Sequence, residues 1–217
     1  MLETDCAGHR LVLLPDKAAC LPEAQTLLVA DAHIGKAVSF RRWGVPVPQG
    51  TTSDTLARLT RAVEATGARR VVFLGDFLHS PRSHAGATLA ALHRWREHHA
   101  GLELVLVRGN HDRRAGDPPA GLGIASVAQP WILGGLALCH EPQAVPGHYA
   151  LAGHLHPCIR LDGPARDRLR LPCFWLGREV GVLPAFGSFT GMHPVQPAEG
   201  DRVYAVTDHA VVPVPDR

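Results

Sequence analysis

The stretch Leu102-Glu103-Leu104-Val105-Leu106-Val107-Arg108-Gly109-Asn110-His111-Asp112 decides the fold of this chain. Its apolar and alternating first part predicts a buried strand that ends near Val107. Gly109 predicts a tight turn directly after the strand, because glycine adopts backbone angles that other residues avoid. Asn110, His111 and Asp112 would then stand together at the carboxyl end of the strand, where open α/β sheets place their functional sites.

Metal-binding residue types follow other predicted strands as well. The five junctions are Asp31-Ala32-His33, Gly75-Asp76, Gly109-Asn110-His111-Asp112, His140 and Gly153-His154-Leu155-His156. Residues i and i+2 of an extended segment point to the same side, so we expect Asp31 to converge with His33, and His154 with His156. The donors are imidazole nitrogens and carboxylate and amide oxygens, without thiolate. This mixture favours Mn²⁺, Fe, Zn²⁺ or Ni²⁺ over Mg²⁺ and Ca²⁺.

Length and composition predict one domain, residues 1–217. The 217 residues fit a single α/β unit, and a hydrophobic content of 46% allows a large core. A net charge of +2 does not by itself indicate a nucleic-acid-binding surface and does not exclude one. The five cysteines include no C-x-x-C pair, which favours reduced thiols and a cytoplasmic location. The sequence shows no signal-peptide pattern and no apolar run near ~18 residues, so we expect no membrane partner.

Predicted strands alternate with predicted helices in the first half of the chain. The strands are Arg10–Leu14, Thr26–Ala30, Val71–Leu74 and 102–107, and the helices run from Ser53 to about Thr66 and from about His84 to His99. Glycine and proline residues predict a loop over 34–50. From Ile124 the segments are short and mostly antiparallel β, with a hairpin at Gly134-Gly135. This order predicts an α/β fold of one domain, a two-sheet β-sandwich flanked by helices.

The order of the five junctions resembles the calcineurin-like metallophosphoesterase superfamily. Its pattern is D-x-H, G-D, G-N-H-D/E, a lone H and G-H-x-H, and all five parts occur here in that order. The resemblance implies an α/β/β/α sandwich that holds two divalent metal ions. It also implies the ligands of each ion. One ion would be held by Asp31, His33, Asp76 and His156. The other would be held by Asp76, Asn110, His140 and His154, with Asp76 bridging the two.

The charge of this ligand set suits a phosphate ester. Two divalent ions bring four positive charges, while the carboxylates of Asp31 and Asp76 and a bridging hydroxide return three. The remaining positive charge attracts phosphate and lowers the pKa of bound water. His111 would donate to a phosphoryl or leaving oxygen, and Asp112 either holds the ring of His111 or only stabilises the turn.

His79 follows Asp76 by three residues, where the phosphoprotein phosphatases of the superfamily have an aspartate. Here the chain resembles the branch of double-strand-break repair nucleases, which implies that His79 is a second catalytic histidine. The alternative is a hydrogen bond from His79 to a metal ligand.

A closer resemblance is to the bacterial ligase-associated DNA-damage-response endonuclease family, and it covers most of the chain. The segments that carry it are Val29–Lys36 (VADAHIGK), Phe40–Pro48 (FRRWGVPVP), Cys139–Pro142 (CHEP) and Pro184–Gly191 (PAFGSFTG). Ala32 is a small departure, because a leucine is expected there. The resemblance implies a manganese-dependent phosphodiesterase that acts as a DNA endonuclease in repair, together with a DNA ligase, a helicase and an exonuclease-like protein.

Residues near the site in sequence leave several interpretations open. Arg41, Arg42 and Trp43 would grip a DNA single strand by stacking and phosphate contacts, or else pack on the core and face solvent. Lys36 would bind phosphate or be a solvated lysine. The functions that fit are a DNA phosphodiesterase, a phosphatase or small-nucleotide phosphodiesterase on the same site, and a scaffold without activity, which the intact ligand set disfavours. The sequence does not specify whether the chain forms a homo-oligomer.

Overall fold

Two β-sheets packed face to face form the framework of the molecule. The computed structural model describes residues 1–42, 44–47, 50–162, 168–188 and 190–215. The first sheet has seven strands in sequential order, antiparallel from the first to the fourth and parallel from the fourth to the seventh. They are β1 (Leu2–Cys6), β2 (His9–Leu13), β3 (Ala19–Leu21), β4 (Thr26–Val29), β5 (Arg70–Leu74), β6 (Glu103–Val107) and β7 (Ile124–Val127).

Nine strands of the described residues form the second sheet, in the order β14-β11-β12-β13-β10-β9-β8, with β15 beside β12 and β16 beside β15. They are β8 (Trp131–Leu133), β9 (Leu136–Leu138), β10 (Tyr149–Ala152), β11 (Pro157–Asp162), β12 (Arg168–Leu176), β13 (Val180–Val182), β14 (His193–Pro194), β15 (Arg202–Val206) and β16 (Val211–Val214). The hairpin at Gly134-Gly135 is confirmed. The sheet is more mixed than predicted, because β10 runs parallel to both β9 and β13.

The helices are α1 (Lys36–Arg42), α2 (Thr51–Thr66), α3 (Gly86–His98) and α4 (Asn110–Ala115), with 3₁₀ turns at Pro81–His84 and Ala120–Leu122. Leu59 of α2 and Trp95 of α3 pack with Phe73 of β5 in one apolar layer on the first sheet. A second layer fills the space between the sheets, where Val72 of the first sheet shares a cluster with Phe174 of the second. The fold is therefore the predicted sandwich of two mixed sheets flanked by helices. In the described part of the chain, every helix is too short or too polar to cross a bilayer.

The segment 34–50 is not the continuous loop that the sequence predicts, since α1 occupies its first half. The helix-breaking glycine and prolines begin only at Gly44, after the helix has ended. The turn after β6 likewise continues into α4, so that Asn110 and His111 occupy the first helical turn. Helix α2 begins at Thr51 rather than Ser53, with Gly50 as its N-cap. Helices α1 and α4 have seven and six residues, too few for a clear periodic pattern.

The packing of the two sheets brings the ends of several strands together. Strands β4, β5 and β6 are parallel neighbours, so their carboxyl ends lie along one edge of the first sheet. Strands β9 and β10 of the second sheet are also parallel to each other. The residues that follow these five strands are the predicted ligands, and they meet at this edge.

Candidate metal centre

The seven side chains predicted as ligands lie together in two adjacent groups. Ligand atoms lie within 4.8 Å of one another in the group Asp31, His33 and His156 and in the group Asp76, His140 and His154. The seventh predicted ligand, Asn110, places Oδ1 2.8 Å from His140 Nε2 and so joins the second group. Asp76 lies between the groups, because its Oδ2 is 3.9 Å from His33 Nε2 and its Oδ1 is 3.4 Å from His140 Nε2.

The backbone at five of the seven predicted ligands is left-handed rather than extended. The φ angles are 52° at Asp31, 45° at His33, 51° at Asp76, 71° at His154 and 51° at His156. The expectation of extended segments was therefore wrong. Asp31 and His33 still converge in one group, as expected, whereas His154 and His156 contribute to different groups. Such angles cost about 1–2 kcal/mol for a residue with a side chain, and a cluster of them is typical of functional sites.

Close approach of the junctions requires glycine at three positions. A Cβ at Gly75 would collide with the imidazole of His140, and one at Gly109 would collide with the carboxylate of Asp76. A Cβ at Gly153 would lie 2.6 Å from Asp31 Oδ2. Among them only Gly75 has a positive φ, 77°. Gly109 has φ −92°, so the turn after β6 needs this glycine for space and not for the special backbone angles that the sequence predicts.

Hydrogen bonds fix the imidazole tautomer in the second group. His140 Nδ1 donates to the carbonyl of Leu74 at 3.0 Å, so the lone pair of Nε2 faces Asn110 Oδ1 and, at 3.0 Å, His154 Nδ1. The side chain of Gln129 accepts from the backbone N–H of His140 at 2.7 Å and holds this turn. Acceptor atoms about 3 Å apart are what two adjacent ligands of one ion with bonds of about 2.1 Å require.

A hydrogen bond to a backbone carbonyl also orients an imidazole in the first group. His156 Nδ1 donates to the carbonyl of Gly191 at 3.1 Å, which leaves Nε2 3.5 Å from Asp31 Oδ1 and 3.4 Å from His33 Nε2. Asp31 Oδ1 and His33 Nδ1 are buried and have no hydrogen-bond partner among the described residues. A buried carboxylate oxygen without a donor is costly unless a cation neutralises it. The residues therefore fit two divalent ions.

The protonation states also suit cations. Burial raises the pKa of Asp76, and the neighbouring His140 only partly offsets this rise. Burial, with a smaller effect of the Lys36 ammonium, holds the pKa of His33 far below its usual range. His33 is therefore a neutral ligand at any working pH, and a bound cation would keep Asp76 ionised.

His111 and His79 line the open side of the centre. His111 Nδ1 donates to the backbone carbonyl of His79 at 2.8 Å, and its Nε2 lies 3.9 Å from Asp76 Oδ2. The two rings are stacked with centroids 5.1 Å apart, and both are half-exposed. Burial lowers the pKa of His79 to about 4, so this imidazole is neutral near pH 7. The histidines thus face the place where a substrate would meet the ions.

Asp112 does not hold the ring of His111, because the carbonyl of His79 does so. Instead its buried carboxylate accepts four backbone hydrogen bonds. The donors are the N–H groups of Asp76 at 2.7 Å, Phe77 at 3.0 Å, Leu78 at 3.3 Å and Gly109 at 2.9 Å. Asp112 thereby ties the turn after β5 to the turn after β6, which is the structural alternative that the sequence left open.

The predicted substrate contacts are described only in part. Lys36 is half-buried, and its Nζ lies 5.8 Å from the ring centroid of Phe40. Arg41 is exposed, and its Nε donates to the carbonyl of Val47 at 3.2 Å. The side chain of Arg42 and the whole of Trp43 lie outside the described residues.

The lowered pKa of His79 predicts acid sensitivity of the metal-free protein. Between about pH 6.5 and pH 4 the unfolded chain protonates this imidazole and the folded chain does not, so the free energy of unfolding falls as the pH falls through this window. We expect urea unfolding of metal-free protein to show this slope, and to show a smaller one for His79→Gln. An unchanged slope in His79→Gln would contradict the assignment.

The chain is similar to two solved structures to different degrees. A crystal structure of Pseudomonas putida nuclease MPE matches it with 46% sequence identity and a TM-score of 0.87, covering 98% of this chain and 99% of the other. The E. coli phosphoesterase Yfce matches with 18% identity and a TM-score of 0.44, covering 86% of this chain and 96% of the other. No protein-family model and no curated protein matches the sequence.

Proposed function

Because the chain belongs to the same family as the Pseudomonas putida nuclease MPE and is a metallophosphoesterase that hydrolyses phosphoric ester bonds, we propose that it is a metal-dependent DNA phosphodiesterase. The observation that supports this most is the pair of donor groups around Asp76 with two histidines on their open side. That relative is a nuclease, which supports a nucleic-acid substrate for this chain. The preference for DNA rests on the resemblance of the sequence to the DNA-damage-response endonucleases.

The proposed ligands divide as the resemblance implies. Asp31, His33, Asp76 and His156 would hold one ion, and Asp76, Asn110, His140 and His154 the other. When bound, two divalent cations supply positive charge to the phosphoryl oxygens and activate water for in-line attack. Manganese suits this mixture of nitrogen and oxygen donors, although zinc, iron and nickel also fit.

The protein groups then orient the substrate and move a proton. We propose that His111 Nε2 protonates the leaving oxygen, since Nδ1 is engaged with the carbonyl of His79 and the ring is held in place. The neutral imidazole of His79 donates a hydrogen bond to a phosphoryl oxygen. Asp112 acts through the turns that it joins and touches no reacting atom.

The test replaces the proposed proton donor. We expect His111→Asn to lower manganese-dependent cleavage of single-stranded DNA at least 100-fold, because general acid catalysis contributes about 10²–10⁴. Hydrolysis of bis-p-nitrophenyl phosphate should fall less, since p-nitrophenolate leaves without a proton. Metal content, measured by plasma mass spectrometry, should stay at two ions per chain. His209→Asn, which changes an exposed histidine, is the matched control.

Other results would select the alternative functions. Hydrolysis of p-nitrophenyl phosphate without cleavage of any diester would indicate a phosphatase. Turnover of small cyclic or dinucleotide diesters with no cleavage of DNA would indicate a nucleotide phosphodiesterase. An equal loss on DNA and on the small diester in His111→Asn would remove His111 from the proton-donating role.

The cellular setting is a further part of the proposal. Participation in DNA repair and association with a DNA ligase, a helicase and an exonuclease-like protein rest on the sequence resemblance. The five cysteines are buried and unpaired, which is in keeping with a cytoplasmic location. Sensitivity of a deletion strain to DNA damage, and co-purification of the tagged protein with the ligase, would test these points.

A further inference from the structure

Lys36 is the first residue of α1 and follows directly on the turn that carries Asp31 and His33. Helix α1 is held against the segment that follows His79, because Ser39 Oγ lies 2.9 Å from Ser80 Oγ. Gly35 packs so closely that a Cβ there would lie 2.7 Å from Ser83. The start of α1 is therefore a fixed part of the wall of the site and not a free loop.

The ammonium group of Lys36 stands beside the centre. Burial is the larger cause of the low pKa of His33 and of His79, and the charge of Lys36 adds to it. Burial also lowers the pKa of Lys36 itself, and the carboxylates of Asp31 and Asp76 only partly offset this fall. Its Nζ lies 5.8 Å from the ring centroid of Phe40, whose centroid is 6.4 Å from that of His79. Contacts between the rings of His111, His79 and Phe40 thus connect the proposed metal site with Lys36.

No described carboxylate forms an ion pair with Lys36. The two acidic groups within its electrostatic reach, Asp31 and Asp76, are the proposed metal ligands, and bound cations would neutralise them. Lys36 would then be a half-buried positive charge without a counterion. Burying such a charge is costly, and an anionic group of the substrate would remove that cost.

We infer that Lys36 binds the phosphate adjacent to the scissile phosphate of a DNA strand. The inference rests on the proposed function, because a DNA strand carries a second phosphate next to the scissile one and an isolated diester does not. The ions and the two histidines already serve the scissile phosphate, whereas Lys36 is connected to His79 through the ring of Phe40. Lys36 therefore favours strands over isolated diesters and senses the charge of one neighbouring linkage.

The test uses dithymidylate esters with p-nitrophenol at the 3′ or the 5′ end, so that release of p-nitrophenol reports one defined bond. The linkage between the two thymidines is either a phosphodiester or a neutral methylphosphonate. In one of the two series, we expect the wild-type protein to hydrolyse the charged compound with about tenfold higher kcat/KM, as expected for a charge-assisted contact. We expect Lys36→Met to lose this preference and Lys36→Arg to keep most of it.

The chain contains one other lysine, which supplies the control. Lys17 neighbours Arg58 and Asp208 rather than the metal ligands, and Lys17→Met should keep the preference. As a second measurement, the slope of log affinity against log salt for a single strand should fall by about 0.7 in Lys36→Met. Melting curves and metal counts show whether Lys36→Met remains folded and loaded.

The outcomes separate this inference from the function on which it rests. If Lys36→Met keeps the wild-type preference, or if the wild-type protein shows none while it still cleaves DNA, Lys36 is not the phosphate contact. If Lys36→Met loses activity equally on the charged and the neutral compound, Lys36 acts on the scissile phosphate or the ions instead. If the wild-type protein hydrolyses no diester with any metal, the proposed function itself fails.

Discussion

Replacement of Asp76 by asparagine will abolish hydrolysis and remove at least one of the two metal ions. The side chain is buried in the folded chain, and its two oxygens face His33 Nε2 and His140 Nε2 at 3.9 and 3.4 Å. The amide has the same shape but no charge, so two dications would share only the carboxylate of Asp31. We expect activity on bis-p-nitrophenyl phosphate to fall by more than about 10³, because each ion supplies several kcal/mol of charge stabilisation.

The same substitution should leave the metal-free protein at least as stable as wild type near pH 7. Burial raises the pKa of Asp76, so the folded state holds this carboxylate in its charged form at a cost that the amide does not carry. Plasma mass spectrometry and thermal melting with and without manganese measure both effects. Asp117→Asn, which changes an exposed carboxylate paired with Arg108, should leave both unchanged. A fully active Asp76→Asn with two ions would show that Asp76 does not bridge them.

The ligand set could be predicted because its information is local. Each ligand lies within a few residues of the end of a strand, and the strands are apolar enough to recognise. Parallel order then brings those ends together, as it does for Asp31, Asp76 and Asn110. The donor types and their order in the sequence were therefore sufficient to expect one site, even though the backbone at five of the seven ligands is left-handed and not extended.

The supporting contacts could not be predicted, because they join segments that are remote in sequence and belong to no motif. Gln129 reaches the N–H of His140 from the segment before β8, and the carbonyl of Gly191 receives Nδ1 of His156. Neither a glutamine side chain nor a backbone carbonyl is distinctive in a sequence. The sequence left the role of Asp112 ambiguous for the same reason. Its hydrogen-bond donors Asp76 and Phe77 follow β5, and only the folded chain brings this turn next to the turn that carries Asp112.

The buried carboxylate of Asp112 leads to the largest expected effect on stability. In Asp112→Ala four backbone N–H groups lose their acceptor, and each unsatisfied buried donor costs about 1–3 kcal/mol, less what water and relaxation recover. We expect a net loss of about 4 kcal/mol in the free energy of unfolding. This corresponds to a melting temperature lower by about 10 °C for a chain of this size. Asp112→Asn keeps the shape and part of the bonding, so it should lose about half as much.

The metal affinity of Asp112→Ala should fall with its stability, because the freed turns carry Asp76 and Asn110. Urea unfolding and manganese titration of the two variants and of the exposed-site control Asp54→Ala measure both quantities. A different set of results would contradict this role of Asp112. If Asp112→Ala melts like wild type and binds both ions, yet cleaves DNA poorly with an altered pH profile, then Asp112 acts on the ring of His111 after all. The four backbone hydrogen bonds would then be incidental to function.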